Sequence, residues 1–263
     1  MVRYADRPRR ITFSTAETTD IGGRQVNEDA LGHFSKGGGG CWVVADGLGG
    51  HKGGETAARL AAEAVLAIRE NADPDPPLPE KVRRAMDAAQ AAILDGQKSD
   101  PRLFRMRSTL VVLIAEDGLA AWGHSGDSRL YHFRNGLLVS QTADHTVVWA
   151  MAAAGDIAPE EIRFHEDRNR LLRSLGNPED FRPDVPTEPI SLEPGDAFLL
   201  CTDGFWEYVL EAEMTWHLAA ARSPSDWLDR MTDTVRRRAG KREDRDNCTA
   251  LAVWCQDTER KRK

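Results

Sequence analysis

The 263-residue sequence contains few cysteines and no long apolar run. Its four cysteines lie far apart without a CxxC pair, which argues against both a zinc site and a disulfide framework. The longest apolar stretches, such as residues 109–115, are much shorter than the roughly 20 residues that cross a bilayer. The N-terminal residues also lack the apolar segment of a signal peptide. We therefore expect a cytoplasmic protein that does not insert into a membrane.

Positive charge is the second feature in short supply. The 35 Lys and Arg residues are outnumbered by 42 Asp and Glu residues, which gives a formal net charge of −7. Because nucleic-acid binding depends on a basic surface that neutralises phosphates, we expect no nucleic-acid partner. Gly and Pro contents are ordinary, which excludes collagen-like and disordered chains. No repeat or long linker divides the chain, so we predict one domain over residues 1–263, with a core of about 11–256 and a short basic C-terminal tail.

Short runs rich in apolar and β-branched residues predict strands. Two pairs of runs are joined by Asp117-Gly118 and Asn135-Gly136, dipeptides that close antiparallel hairpins because both positions tolerate a positive φ. Much of the sheet is therefore expected to be an antiparallel meander, and the four glycines at 37–40 are expected to form a flexible hairpin loop. The predicted strands are residues 41–45, 109–115, 119–122, 129–133, 137–140, 197–201 and 249–254.

Apolar residues at helical spacing predict two amphipathic helices between the strands at 41 and 109. Later helices are expected at 144–154, 211–222 and 225–239. Because the helices lie mainly before and after a strand-rich middle, the pattern favours an α+β fold over repeated βαβ units. The two predicted apolar faces are Ala57, Leu60, Ala61, Ala64, Val65 and Ile68 in the first helix, and Val82, Ala85, Met86, Ala89 and Ile93 in the second.

Carboxylates follow the ends of several predicted strands. An apolar strand is followed at once by Asp-Gly twice, at Asp46 and at Asp203, and further acids occur at 28–29, at 127 and at 244–246. An Asp-Gly pair after a strand is often only a turn. If the strands are neighbours, however, the carboxylates converge, and a bound divalent cation relieves their repulsion. Oxygen ligands without His or Cys favour Mg²⁺ or Mn²⁺ over zinc.

Taken together, these segments resemble the metal-dependent protein phosphatases of the PPM (type 2C) family, most closely the bacterial branch with its ADGxGGH motif. The likeness follows the family's order over nearly the whole chain. The matching segments are GGRQVNEDA at 22–30, VVADGLGGHKGGETA at 43–57, STLVVLIA at 108–115, GHSGDSRLYHFRNG at 123–136, TADHTVV at 142–148, RNRLLRSLG at 168–176, PGDAFLLCTDGFWE at 194–207 and DNCTALAV at 246–253.

This resemblance implies a four-layer α-β-β-α sandwich of two central antiparallel sheets flanked by helices. Two Mn²⁺ or Mg²⁺ ions would be bound tightly at one end of it. By position in the family's motifs, Asp46 would bridge both ions, and the Gly47 carbonyl would join Glu28 on the second ion. Asp203 and Asp246 would hold the first ion.

The same resemblance assigns roles around the two ions. Asp127 would hold a weaker third ion, although a carboxylate in such a turn can instead cap the turn. Arg24 resembles the phosphate clamp, because its guanidinium fork suits two phosphoryl oxygens. Asp29 and Asn247 would orient the ligands from a second layer. Residues 150–165 fall where the family has a variable flap.

The implied reaction is attack of a metal-bridging hydroxide on a phosphoserine or phosphothreonine ester. Eukaryotic relatives carry a histidine, the proposed general acid, where this chain has Leu48. His51 could replace it or could merely cap a helix, and a metal-bound water is the alternative proton donor.

Two classes of function follow from the motifs. The leading one is a protein-serine/threonine phosphatase that acts on phosphorylated proteins and opposes a bacterial serine/threonine kinase. The alternative is a catalytically silent module of the same fold that binds a phosphoprotein or a kinase. Loss of metal ligands would mark a silent module, and none of the motif carboxylates is missing. The sequence does not select a substrate or an oligomeric state.

Overall fold

Strands make up the centre of the protein in a computed structural model that describes residues 11–49, 53–67, 76–240 and 245–257. The strands are β1 (Ile11–Asp20), β2 (Asp29–Lys36), β3 (Gly39–Leu48), β4 (Arg107–Ser108), β5 (Leu110–Glu116), β6 (Leu119–Ser125), β7 (Arg129–Arg134), β8 (Leu137–Gln141), β9 (Ile190–Ser191), β10 (Ala197–Cys201) and β11 (Cys248–Asp257). Within the described residues they form two sheets, ordered β1-β11-β10-β7-β8 and β2-β3-β5-β6-β9, with β4 paired to β3.

Helices cover the outer faces of both sheets. They are α1 (Gly53–Ala67), α2 (Leu78–Ser99), α3 (Val147–Ala154), α4 (Asp203–Trp206), α5 (Glu211–Ala220) and α6 (Pro224–Ala239), with short 3₁₀ turns at Pro101–Leu103 and Pro159–Phe164. Pro residues near the N-termini of α2 and α6 suit positions that lack an intrahelical hydrogen bond. The Ser223 side chain accepts from the Asp226 N–H and caps α6.

Three apolar clusters separate the four layers. The middle cluster joins Trp42 and Val111 of one sheet to Phe198 and Leu251 of the other. A second cluster packs α1 and α2 against β3 and β5. The third packs α5 and α6 against the opposite sheet, with Trp227 fully buried in it. This layering confirms the predicted α-β-β-α sandwich.

Local chemistry explains which elements the sequence predicts well. Both hairpin dipeptides adopt positive φ, with Asp117 at 50° and Asn135 at 52°. The predicted inner face of α2 is buried throughout. In the first helix Ala57, Ala61 and Val65 are buried as predicted, Leu60 and Ala64 are half-buried, and Ile68 lies outside the described residues.

Several predicted boundaries were wrong. The helix expected from 144 begins only at Val147, because Thr146 is its N-cap and accepts from the Trp149 N–H. The four-glycine run forms a hairpin as predicted, but only Gly37 and Gly38 make up its turn, since Gly39 and Gly40 lie in β3 and pair with β2. The sequence pattern also missed β1 and β2.

Candidate metal centre

The antiparallel order brings the motif carboxylates to one end of the sandwich. Asp29 opens β2 and lies opposite Asp46, which lies near the end of β3. Asp203 follows β10, and Asp246 precedes β11, the strand that pairs with β10. Asp127 lies in the turn from β6 to β7, and β7 pairs with the other side of β10. In an antiparallel pair, the end of one strand lies beside the start of its neighbour. These residues therefore converge at one end of the two sheets, as expected.

The backbone of Asp46 is held on both sides. Its N–H donates to Thr109 Oγ1 at 3.0 Å. Its carbonyl accepts from the Thr109 N–H at 2.8 Å and from Ser108 Oγ at 2.9 Å. The Asp46 side chain therefore leaves β3 from a fixed point.

Glycine at 47 is a steric requirement. A Cβ on Gly47 would lie 2.0 Å from the Gly54 carbonyl oxygen, and a Cβ on Gly54 would lie 2.6 Å from Glu28 Oε1. The N-terminus of α1 thus lies directly against the Gly47 backbone and the Glu28 carboxylate. The Gly47 N–H also donates to the Glu28 carbonyl at 3.0 Å. The two predicted ligands of the second ion are neighbours.

Asn247 and Asp29 make the contacts expected of orienting residues. Asn247 Oδ1 accepts from the Glu28 N–H at 2.8 Å, and its Nδ2 donates to the carbonyls of Ile21 and Val26. This side chain fastens the loop that carries Arg24 and Glu28. Asp29 Oδ2 accepts from Thr202 Oγ1 at 3.0 Å, immediately before Asp203 in the chain.

The electrostatics of the cluster fit a cation. Burial, followed by neighbouring carboxylates, raises the pKa of Asp46 and of Asp203 well above the ordinary value. Burial likewise raises the pKa of Asp29 and of Asp127 to about 7. Glu28 Oε1 and Asp29 Oδ1 are buried without a hydrogen-bond partner among the described residues. Buried oxygens that lack donors and repel one another match the donor set of Mg²⁺ or Mn²⁺.

Arg24 contacts the carboxylate cluster directly. Its Nη2 donates to Asp246 Oδ2 at 2.8 Å, and about half of its side chain is exposed. The residue predicted to clamp phosphate therefore lies beside a predicted metal ligand, at the solvent side of the site.

A buried ion pair beneath Asp127 was missed from the sequence. Arg129 forms a bidentate pair with Asp144 at 2.8 and 2.7 Å, and both side chains are almost fully buried. The Arg129 guanidinium stacks 3.5 Å from the ring centre of Trp206, whose Nε1 donates to the Asp127 carbonyl at 3.0 Å. The motif GDSR contains Arg129, but only its pairing with a distant aspartate would have indicated this role.

The predicted flap region is anchored to the body of the protein. Residues 150–165 contain the end of α3 and the 3₁₀ turn Pro159–Phe164. The segments on either side of this region are joined by a hydrogen bond from the Val147 N–H to the Arg170 carbonyl. Arg163 pairs with Glu211 at 2.5 Å, and Arg168 pairs with Glu207 at 2.6 Å.

Cys201 and Cys248 lie in the apolar cluster between α5, α6 and their sheet, as expected for structural thiols. His51, Asp244 and the basic tail lie outside the described residues.

Known proteins share both the sequence pattern and this architecture. A family model described as protein phosphatase 2C matches residues 18–251. The protein phosphatase PhpP of Streptococcus pneumoniae is 29% identical over 240 residues, which is 89% of this chain and 94% of that protein. The serine/threonine phosphatase PstP/Ppp of Mycobacterium tuberculosis has a crystal structure with a TM-score of 0.81 and 28% identity, covering 93% of this chain and 99% of that chain.

A second solved structure is the PstP catalytic domain in complex with two manganese ions. It is 27% identical, with a TM-score of 0.80, and covers 94% of this chain and all of that one. An oxygen-rich site at the end of a double-sheet sandwich thus defines the class as metal-dependent phosphatases. The chain belongs to the protein phosphatase 2C family.

In the described part of the chain, every helix is too short or too polar to span a membrane.

Proposed function

We propose that this chain hydrolyses phosphoserine and phosphothreonine esters in proteins with two divalent ions bound at the carboxylate cluster. The convergence of Asp46, Asp203 and Asp246 with the two unpartnered oxygens of Glu28 and Asp29 carries the proposal. Arg24 is the one basic side chain that pairs with these five carboxylates among the described residues, so most of their charge is left for a bound ion to balance. The names of the relatives PhpP and PstP support the substrate class.

Each carboxylate has a place in this proposal. Asp46 would bridge both ions, since burial, followed by the charges of Asp203 and Asp29, raises the pKa of its carboxyl. Asp203 and Asp246 would complete the first ion's ligands. The Gly47 carbonyl and Glu28 would hold the second ion. Asp127 would hold a weaker third ion.

The chain's own groups also prepare the substrate side. Arg24 lies at the solvent edge of the cluster, where its planar fork can take two phosphoryl oxygens. When bound, the ions supply a hydroxide nucleophile and neutralise phosphoryl charge. Leu48 offers no proton, so we assign the protonation of the leaving oxygen to water. The flap segment beside the site is the proposed contact for the peptide around the phosphate.

The remaining context is proposed from the family. We infer that the phosphatase reverses a serine/threonine kinase in the cytoplasm. We also infer that residues 11–256 form one catalytic domain, because the strands of both sheets come from across this range. Either Mn²⁺ or Mg²⁺ fits the oxygen ligands.

Hydrolysis of p-nitrophenyl phosphate with and without Mn²⁺ tests the proposal. We expect manganese-dependent turnover that EDTA abolishes and that Asp46→Asn lacks. Phosphoserine and phosphothreonine peptides should then be hydrolysed faster than a matched phosphotyrosine peptide. A protein that binds Mn²⁺ and phosphopeptides without turning over any of them would instead identify the silent binding module.

A further inference from the structure

Two histidines and an aspartate lie together behind the turn that carries Asp127. His124, His145 and Asp184 each place one ligand-type atom within 4.8 Å of the others. The two imidazole rings are stacked, with centroids 4.5 Å apart and an interplanar angle of 20°. Both histidines are buried, whereas Asp184 reaches the surface. The cluster lies outside the proposed metal centre.

Hydrogen bonds already occupy this cluster. His124 Nε2 lies 2.7 Å from the Ala143 carbonyl, and because a carbonyl only accepts, this nitrogen carries the proton. Arg173 donates to Asp184 Oδ1 at 2.8 Å and supplies the positive charge that a metal ion would supply. The cluster is therefore a network of hydrogen bonds among these side chains and the backbone.

This hydrogen-bond network ends on the backbone of Gly126. The His145 N–H donates to the Gly126 carbonyl at 3.0 Å, and the Gly126 N–H donates to His145 Nδ1 at 3.2 Å. Gly126 has a φ of +105°, and a Cβ there would lie 2.7 Å from Thr109 Cβ. This reciprocal pair fixes a conformation that only glycine fits, one residue before Asp127.

Three contacts bear on the tautomer of His145. We assign the ring proton to Nε2, because Nδ1 accepts from the Gly126 N–H and Nε2 lies 3.1 Å from the acceptor Asp184 Oδ2. Arg173 Nη1 also lies 3.2 Å from Nε2, but it has the Asp184 carboxylate as its acceptor at 2.8 Å. Asp184 is fixed in turn by two backbone hydrogen bonds with His124. Burial, with His124 beside it, lowers the pKa of His145 to about 4, so the ring is neutral at neutral pH.

We propose that His145 is a positioning residue for Asp127. Its unprotonated Nδ1 holds the Gly126 turn in the orientation that directs the Asp127 carboxylate toward Asp46 and Asp203. Asp184 fixes the tautomer that leaves Nδ1 free to accept. The inference rests on the proposed function in one respect, which is the role of Asp127 in holding the third ion.

Two amide variants separate the two hydrogen bonds of the ring. His145→Asn places an amide oxygen near Nδ1 and keeps the acceptor for Gly126, whereas His145→Gln places an amide nitrogen near Nε2 and keeps the donor to Asp184. We expect the metal concentration for half-maximal rate to rise about 10-fold in the Gln variant and to stay near wild type in the Asn variant. Equal metal requirements in both variants would overturn the proposal.

His132→Gln is the matched control. His132 is also buried, stacks on Phe198 at 4.6 Å and lies beside Asp196, but it makes no contact with the Asp127 turn among the described residues. This variant should have a lower melting temperature than the wild type, and its metal concentration for half-maximal rate should not change. A rise in metal requirement equal to that of His145→Gln would show that any buried histidine has this effect, and would refute a specific role for His145.

A readout without turnover keeps the two proposals distinguishable. In the metal-free protein, ¹⁵N NMR of histidine should show an unprotonated Nδ1 on His145. The Gly126 amide proton should move upfield in the Gln variant only. A protonated Nδ1, or an unmoved Gly126 resonance, would contradict the positioning role. Wild-type protein without any phosphatase activity would refute the proposed function, while these resonances would still decide whether His145 holds the turn.

Discussion

Strand β10 has a buried aspartate at each end, and their surroundings are opposite. Asp196 precedes the strand and receives two hydrogen bonds from Arg134, at 2.8 and 2.7 Å, and one from the Glu193 N–H. Burial alone would raise its pKa, but these donors and His132 lower the pKa to about 2. Asp203 follows the strand, and burial together with Asp127 and Asp246 raises its pKa well above the ordinary value.

The two ends of this five-residue strand therefore contrast an aspartate that is held by an ion pair with an aspartate of the candidate metal centre. Asp196 and Asp203 are 1% and 9% exposed, so burial does not distinguish them. A partner cation among the described residues distinguishes them, because breaking a buried ion pair costs stability, whereas a buried charge that lacks a partner destabilises the fold until something binds. The unpaired end of β10 is therefore the end that points to a ligand.

Replacing the unpaired carboxylate should have the largest effect. We expect Asp203→Asn to lower phosphatase turnover by more than about 10³-fold, because it removes one of the negative ligands proposed for the first metal ion. The melting temperature of the metal-free protein should be unchanged or higher, because a repelled charge is removed. Turnover and calorimetric Mn²⁺ titration measure both effects. Unchanged Mn²⁺ binding would remove Asp203 from the site.

Replacing the paired carboxylate should reverse that pattern. Asp196→Asn removes the buried carboxylate that receives two hydrogen bonds from Arg134 and leaves that cation with Glu193 as an acidic partner, and we expect a loss of about 2 kcal/mol in the free energy of unfolding. The metal requirement for activity should not change. Urea unfolding of Asp196→Asn beside Asp203→Asn provides the measurement. Equal stabilities of the two variants would remove the contrast between the two ends of β10.

Arg24 tests whether a cation at the unpaired end serves the substrate. We expect Arg24→Ala to raise KM by about 10-fold or more, the effect of losing a charged hydrogen bond. Mn²⁺ affinity should not fall, since the substitution leaves Asp246 free of its ion pair. Arg24→Lys keeps the charge but loses the fork, so an intermediate KM is expected. An unaltered KM and phosphate inhibition constant would exclude the clamp.

Asp127 should show a smaller effect at the edge of the cluster. Asp127→Ala should leave the two tight ions in calorimetry but raise the metal concentration for half-maximal rate about 10-fold. A carboxylate that only caps its turn would instead lower the melting temperature without changing the metal requirement. Measuring both quantities on this variant decides between the two roles.

The smallest expected effect concerns acid stability. Because the pKa of Asp196 is lowered from 3.8 to about 2, its stabilising contribution is present above pH 4 and is lost as the pH falls toward 2. The unfolding free energies of the wild type and Asp196→Asn should therefore converge between pH 4 and pH 2. A constant difference over this range would show that the ion pair does not carry the stability.

Regular patterns made much of the fold predictable from the sequence. The buried face of α2 follows helical periodicity, and both hairpins follow Asp-Gly and Asn-Gly chemistry. The strands β1 and β2 were missed because they lie at the edges of their sheets and are mostly half-exposed. Their polar residues, such as those of the run ITFSTAETTD, show no clean apolar alternation.

The site was predictable to the extent that motifs name its residues. The convergence of the carboxylates follows from strand ends and was anticipated, whereas their metal roles remain predictions. The Arg129–Asp144 pair was not anticipated, because residues of opposite charge 15 positions apart carry no local signal of burial. The same holds for His145 and Asp184, which only the tertiary structure brings together.

The pairing of β1 with β11 has a consequence for synthesis of the chain. The two strands are in register from Ile11 opposite Asp257 to Asp20 opposite Cys248, and one of their contacts joins residues 244 positions apart. Closing so long a loop is slow, and β11 also lies between β1 and β10. Asp246 leaves the ribosome just ahead of that strand. A nascent chain therefore completes the sheet that contains β1 and adds Asp246 to the carboxylate cluster in a single late step, and the proposed metal site is incomplete before then.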